Sequence, residues 1–98
     1  MKSSDVVARL RAEKESLKGL GAVHVYLFGS VARNEARRGS DVGVFIDRDK
    51  RRPMGLPDLV LLRRRMQDVL GVKVDLGTRG GLHPLIRRAV ERTAIKVF

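Results

Sequence analysis

The stretch LFGSVARNEARRGSDVGVFID, residues 27–47, decides the fold. It opens as the end of an apolar strand, breaks at Gly29-Ser30, and passes through a short basic segment. It then resumes as a second strand that begins with an acid, Asp41. Alternate residues of a strand share a face, so residue 43 is the next to face the same way as Asp41. That residue is a glycine, and the strand therefore carries no second acid beside the first.

Helices and strands alternate on both sides of this stretch. Apolar periodicity and glycine stops predict helices over residues 3–18, 31–38, 57–70 and from 83 or 84 onward. Apolar runs predict strands over residues 23–28, 41–46 and 72–76, with a short edge strand at 95–98. Loops are expected over residues 48–57, which are strongly basic, and over GTRGG, residues 77–81. The order α-β-α-β-α-β-α-(β) predicts one α/β domain over residues 1–98, built in two or three layers.

Composition excludes several classes of site and partner. The 98 residues include no cysteine, which rules out disulfides, thiolate nucleophiles and cysteine-based zinc sites. His24 and His83 are far apart in the sequence and make a poor metal pair. No apolar run approaches the roughly 20 residues of a membrane span, and the N-terminal MKSSDVVARL has no secretory apolar core. We therefore expect a cytoplasmic protein without membrane contact.

The net charge of +10, carried mostly by arginine, fits a polyanionic partner. A nucleotide, a nucleic acid or an acidic protein surface would each satisfy it. Arginines of the segments 48–52 and 63–65 equally fit solvated surfaces that bind nothing. Charge alone therefore leaves the class of partner open.

The Gly29-Ser30 pair indicates an anion site. Glycine allows close approach of backbone to a phosphate, and the first N–H groups of a following helix, at Ser30, Val31 and Ala32, would point at it. The Ser30 hydroxyl adds a donor. Many Gly-Ser pairs are only turns or caps, so this pair is a weak signal by itself.

Two acids strengthen the interpretation of this region. Asp41 opens one strand, and Asp75 lies inside another, in VKVDL. Two acids on neighbouring strands beside a phosphate cradle suit a magnesium–nucleotide site, because Mg²⁺ takes carboxylate and phosphate oxygens. The alternatives are a turn role for Asp41 and a salt bridge from Asp75 to Lys73 or an arginine.

The strings FGSVARNEARRGSDVGVFID and VKVDL resemble the minimal nucleotidyltransferase domains of the DNA polymerase β-like superfamily. The family pattern is an apolar strand, Gly-Ser, a short helix usually with Ala-Arg, Ser-Asp-x-Asp, and a third acid on a later strand. The resemblance covers the whole chain and implies a small mixed sheet with flanking helices. It also implies transfer of a nucleoside monophosphate, with ATP the expected donor, to a hydroxyl group, assisted by two Mg²⁺ ions.

Carried over by this resemblance, the site residues take distinct roles. Gly29, Ser30, Arg33 and Ser40 would contact the phosphates. Asp41 would bind metal, and Asp75 would bind the catalytic metal and accept the proton of the attacking hydroxyl.

The family's second metal acid belongs at position 43, where this chain has glycine. Asp47 has the right parity but lies about 20 Å along the strand from Asp41, too far to reach the same ion. The chain is therefore either a natural or engineered variant of an active site or a degenerate relative kept for binding. We expect strongly reduced transfer, which Gly43→Asp would raise.

A stand-alone domain of this size resembles the antitoxin of HEPN–MNT toxin–antitoxin pairs. That resemblance implies a HEPN ribonuclease toxin as partner, with AMP transferred to one of its tyrosines. Two alternatives remain open. One is a catalytically inactive module that neutralises its partner by contact or binds nucleic acid through its charge; the other is an unrelated α/β domain.

Overall fold

The computed structural model describes residues 1–35 and 41–98. The helices are α1 (Ser3–Ala12), α2 (Lys14–Gly19), α3 (Leu56–Leu70) and α4 (Pro84–Thr93). The strands are β1 (Ala22–Phe28), β2 (Val42–Arg48), β3 (Val74–Thr78) and β4 (Ile95–Lys96), and a 3-10 turn spans Arg79–Gly81. The predicted α/β class is confirmed.

The four strands form one mixed sheet in the order β3-β2-β1-β4. Strand β1 runs antiparallel to β2 and to β4, whereas β2 and β3 are parallel. Gly43 pairs with Phe28 on one side and with Asp75 on the other. This register brings the end of β1, the start of β2 and the start of β3 to one edge of the sheet.

One face of the sheet carries the main apolar core. Alternate residues of the strands meet α1, α2 and α3 on this side, and the helices contribute Leu10, Leu17, Leu62 and Met66, all fully buried. The strand residues of this core are Ala22, Val25, Leu27, Val42, Val44, Ile46 and Val74. Their removal from water is the main favourable term in folding.

The opposite face carries aromatic and charged side chains and is hereafter called the polar face. Cross-strand pairing places Tyr26 beside Phe45 and Phe28 beside Gly43 on this face, next to Asp75. The rings of Tyr26 and Phe45 stack with centroids 4.8 Å apart. Helix α4 lies on this side of the sheet, because its Glu91 bonds to Arg79, whose guanidinium covers both rings.

Two predicted helices differ from the structure. The helix over residues 3–18 is interrupted at Glu13, whose N–H bonds to the Leu10 carbonyl three residues back and whose carboxylate pairs with Arg65 of α3. The helix over residues 31–38 is wrong for its described part. Residues 29–34 form turns, and Asn34 has a left-handed φ of 56° that a helix does not tolerate.

Smaller differences concern element ends. Strand β2 starts one residue after Asp41, and β3 runs through Gly77 and Thr78, which were predicted to be loop. Glycine content led to the wrong assignment there, since Gly77 pairs in register with Phe45 of β2. Among the described residues, no helix has the length and apolar character needed to cross a membrane.

Candidate functional site

The turn after β1 presents three backbone N–H groups that have no bond to any described residue. Within the described residues, the N–H groups of Ser30, Val31 and Ala32 donate to no protein acceptor, whereas those of the next three residues are bonded. Successive N–H groups in a turn form a concavity that attracts anions. The predicted contribution of a helix dipole is wrong here, because the described part of this segment is not helical.

Gly29 gives this turn its shape and leaves it open. Its φ is +76°, in the left-handed region, and among the described residues no heavy atom outside its immediate chain neighbours lies within 4 Å of where a Cβ would stand. A residue with a Cβ would pay about 1–2 kcal/mol for that conformation. The backbone can therefore approach a ligand closely at this position.

Hydrogen bonds and side-chain burial anchor the described part of the turn. The Glu35 N–H donates to the Ser30 carbonyl at 2.8 Å, and the Val31 side chain is buried in the core. The Ser3 N–H donates to Asn34 Oδ1 at 2.9 Å, which ties the turn to the start of α1. Contacts of this kind reduce the conformational entropy that a loop loses when it binds a ligand.

Arg33, predicted to contact phosphate, forms an ion pair with Glu35 at 3.1 Å. Both side chains are more than half exposed, at 51% and 64%. Pairs of this kind contribute little to stability, so Arg33 can exchange Glu35 for a phosphate at small cost. Ser40, the fourth predicted phosphate contact, lies outside the described residues.

The two predicted metal acids lie at the same edge of the sheet. Asp41 directly precedes β2, and Asp75 is the second residue of β3; both are exposed. The strand starts are fixed by bonds from the Val42 N–H to the Lys73 carbonyl at 2.9 Å and from the Val74 N–H to Gln67 Oε1 at 3.1 Å. Among the described residues, no ion pair uses either acid, so the expected alternative of a salt bridge from Asp75 is not observed.

Gly43 lies between these acids and is closely covered by β1. A Cβ added to it would stand 2.7 Å from the Phe28 carbonyl oxygen and 3.2 Å from two carbons of the Phe28 ring. The first distance is too short for a real contact, and backbone cannot rotate away as a side chain can. Any side chain at position 43, including aspartate, therefore requires β1 to shift away from β2.

This donor set fits one divalent cation better than two. Across residues 1–35 and 41–98, no group of three or more potential ligands is close enough to hold a metal alone. Mg²⁺, however, is usually bound by one or two carboxylates plus substrate phosphates. Asp41 and Asp75 meet that requirement for one ion with a nucleotide present, while Gly43 leaves the set short of the two-ion site that the resemblance implies.

The other end of β2 holds a charged cluster that the sequence did not reveal. Asp47 accepts two hydrogen bonds from Arg79, at 2.7 and 3.1 Å, and Arg79 also donates to Glu91 at 3.1 Å. The Arg79 guanidinium lies 4.8 Å from the Tyr26 ring centroid and 5.2 Å from that of Phe45, within cation–π range. The bond to Asp47 raises the pKa of Arg79 above its ordinary range, against the opposing effect of burial. Asp47 is thus committed to a structural pair.

Comparison with known proteins identifies the family. Residues 8–97 match the model of the nucleotidyltransferase domain. The chain belongs to this nucleotidyltransferase family. Two relatives from Methanocaldococcus jannaschii, named "Putative protein adenylyltransferase" MJ1217 and MJ0126, are each 34% identical over 96 residues, with 96% of both chains covered. "Protein adenylyltransferase MntA" of Thermococcus cleftensis is 29% identical, over 95% of this chain and 93% of the relative.

Solved structures agree with that assignment. A structure described as a "putative minimal nucleotidyltransferase" superposes with a TM-score of 0.81 at 38% identity, covering 97% of this chain and 95% of the other. A toxin–antitoxin crystal structure with AMP-PNP superposes with a TM-score of 0.71 over 90% of this chain and 72% of the other, at 16% identity. The second likeness shows the fold alone. The predicted polymerase β-like nucleotidyltransferase fold is therefore confirmed.

Proposed function

We propose that this nucleotidyltransferase domain transfers AMP from ATP to a hydroxyl group of a partner protein. The observation that carries the proposal is the convergence, at one edge of the sheet, of the open N–H turn at Gly29–Ala32 with Asp41 and Asp75. Anion donors next to exposed carboxylates suit a nucleotide with its cation. The names of the relatives support adenylyl transfer to protein.

The proposed reaction needs positioning and charge more than covalent chemistry. The turn N–H groups and Arg33 hold the phosphates, and Asp75 accepts the proton of the attacking hydroxyl. A bond forms between that oxygen and the α-phosphorus while the bond to pyrophosphate breaks and pyrophosphate leaves. A Mg²⁺ ion held by Asp41, Asp75 and the nucleotide would supply positive charge to the phosphate oxygens.

Glycine at position 43 lowers the rate of AMP transfer that we expect. One carboxylate fewer leaves less charge to bind a second cation, so we expect slow transfer compared with relatives that carry the acid. The close cover of Gly43 by Phe28 adds a condition to the Gly43→Asp prediction. The variant gains activity only if the protein accommodates the new side chain by separating β1 from β2.

For the acceptor we propose a HEPN ribonuclease toxin, which would make the domain its antitoxin. Support comes from fold-level likeness to toxin–antitoxin structures, one of them a mutant MntA–HpeT complex with a TM-score of 0.66 at 14% identity. The relative from Thermococcus cleftensis is also named MntA. We place the action in the cytoplasm, where both ATP and a ribonuclease's substrate are present.

The decisive experiment follows radiolabel. The domain is incubated with Mg²⁺ and the protein encoded by the adjacent gene, using ATP labelled at either the α- or the γ-phosphate. We expect label on that protein only from the α-position, and we expect Asp75→Asn to abolish it. Asp68→Asn, which removes another exposed acid, on α3, is the matched control and should keep full labelling. Transfer unaffected by Asp75→Asn would contradict the site.

A second function is favoured by one observation, the packing of Phe28 over Gly43. This packing leaves no room for an acid at position 43. It is compatible with a domain that is catalytically inactive and neutralises its partner by contact. In the same assay, a stable complex that forms without α-label would support this contact module over the transferase.

A further inference from the structure

Helix α4 presents apolar side chains to solvent. Leu85 is 87% exposed and Ile86 is 49% exposed. In the described part of the chain, α4 buries none of its residues, although its apolar and charged residues fall on different sides. A helix of this kind normally buries its apolar stripe against the core of its own domain. Hydrophobic packing therefore does not explain why α4 lies where it does.

A polar contact ties α4 to the rest of the domain. Glu91 accepts from Arg79 at 3.1 Å, while the bonds from Arg87 to Glu91 at 2.7 Å and from the Leu85 N–H to His83 Nδ1 are internal to the helix and its N-cap. Arg79 is in turn fixed by Asp47 of β2. Because the bond to Arg79 is made by Glu91, the exposed Leu85 and Ile86 remain available to another molecule.

Two arginines border the exposed leucine, and one of them also lines a groove. The groove, of about 740 Å³, lies between the 3-10 turn and α4 and is lined in part by Leu82, Arg88 and Glu91, but not by Leu85. Arg88 and Arg92 follow Leu85 at helical spacings of three and seven residues, which places both arginines along the edge of the apolar side, next to Leu85. The surface therefore combines an apolar centre with a positively charged border, an arrangement found at protein interfaces.

We propose that α4 and the adjacent 3-10 turn dock an acidic protein segment that inserts an apolar side chain beside Leu85. A second copy of this chain fits poorly, since each copy carries a net charge of +10. Nucleic acid would satisfy the arginines but would leave the exposed leucine without an apolar contact. An acidic segment with an apolar anchor matches both features, and its opposite charge would also speed association.

The position of this surface has a consequence for the reaction. Helix α4 lies on the polar face of the sheet, the face that also carries Gly43 and Asp75. A protein docked on α4 is thus held on the side of the sheet where the proposed transfer takes place. This consequence rests on the proposed function, whereas the docking itself does not.

The test uses a defined probe and no nucleotide, so that its outcome is separate from that of the labelling assay. The ¹⁵N-labelled domain is titrated with a synthetic helical peptide that has leucines on one side and glutamates on the other. We expect chemical-shift changes to cluster on α4 and the 3-10 turn. Replacing the peptide's leucines with serines should weaken binding by about tenfold, as expected for loss of an apolar anchor.

Two matched variants locate the surface on the protein. Leu85→Glu should weaken peptide binding by about tenfold, while Leu61→Glu, the same change at a 49% exposed position on α3, should have less than about a twofold effect. Thermal melts would verify that both variants fold. The docking proposal fails if the shift changes spread evenly over the basic surface, or if the two variants weaken binding equally.

Three further outcomes would also overturn the proposal. The serine-substituted peptide could bind as tightly as the original, which would reduce the interaction to charge. Random duplex DNA could produce the α4 shifts while the peptide does not. Sedimentation could show that the domain self-associates and that Leu85→Glu abolishes the self-association, which would assign the surface to a second copy.

Discussion

An aspartate lies at or near each end of β2, and the two aspartates have different surroundings. Asp41, just before the strand, is exposed next to an open N–H turn and another exposed acid, Asp75. Asp47, near the other end, is bound at two points by Arg79 and is only 29% exposed. A carboxylate whose oxygens are already bonded to a guanidinium has little left to offer a metal or a substrate. Both ends of β2 thus have an acid, but only the acids of the proposed site have carboxylate oxygens that no described ion pair uses.

The largest expected effect is on transfer, and it distinguishes the two ends directly. Asp41→Asn and Asp75→Asn should each lower α-label transfer by about 100-fold or more, a typical loss for a group that stabilises transition-state charge. Both acids are exposed, so the variants should unfold at the same urea concentration as the parent. Rates would be measured by label transfer and stability by urea denaturation. If each variant transferred label as fast as the parent, neither Asp41 nor Asp75 would take part in the reaction, and the two ends of β2 would not differ in function.

A second comparison concerns two glycines that face the same way on adjacent strands. Gly43→Ala should destabilise the domain by about 1–3 kcal/mol, because the added methyl meets the Phe28 carbonyl. Gly77→Ala, where no heavy atom of the described residues lies within 4 Å of the added Cβ, should be neutral or stabilising by up to about 1 kcal/mol. Urea unfolding of both variants would measure the difference. Equal effects would mean that β1 does not crowd position 43.

Asp47→Asn should lower stability and leave transfer nearly unchanged, the reverse of the effects expected for Asp41→Asn. Loss of the charged pair leaves Arg79 partly buried without its main partner, and we expect a destabilisation of about 1–2 kcal/mol, reduced from the fully buried case by solvent access. Transfer measured well below the unfolding transition should stay within about threefold of the parent. A hundredfold loss of transfer without loss of stability would instead assign Asp47 to the active site.

The smallest expected effect is a pH dependence arising at Glu91. Its hydrogen bond from Arg87 lowers the pKa of Glu91, with Arg79 contributing further. The folded state then binds fewer protons than the unfolded state, so the stabilisation is present above the ordinary carboxyl pKa of about 4.3 and is lost as pH falls below it. Urea midpoints at a series of pH values should fall less steeply on acidification for Glu91→Gln than for the parent. Identical slopes would indicate that this pair has no net effect on stability.

Local patterns predicted the strands, with Asp41 at the start of the second and Asp75 in the third, because apolar runs and strand parity depend only on neighbouring residues. The mixed sheet was implied by the family resemblance. Reasoning from local patterns also gave a helix after β1, where Asn34 in a left-handed conformation makes a turn. The pair between Asp47 and Arg79 joins residues that are 32 positions apart, and no local pattern encodes it. Recognising that β3 continues through Gly77 would have placed Arg79 at the end of a strand next to β2.

The absence of an acid at position 43 was visible in the sequence, but its physical setting was not. Sequence parity predicts only that Gly43 faces the same way as Asp41. The cross-strand register adds that Phe28 lies directly opposite and covers it. That contact depends on how closely β1 approaches β2, which is a property of the folded sheet.

The most direct measurement is calorimetric titration of the domain with AMP-PNP, with and without Mg²⁺, for the parent, Asp75→Asn and Asp47→Asn. If Asp41 and Asp75 hold a cation and nucleotide without a third acid, the parent binds AMP-PNP only with Mg²⁺. In that case Asp75→Asn weakens binding by about tenfold or more, and Asp47→Asn leaves it unchanged. Binding that is independent of Mg²⁺, or that is equally strong in the Asp75→Asn variant, would contradict the assignment of this end of the sheet.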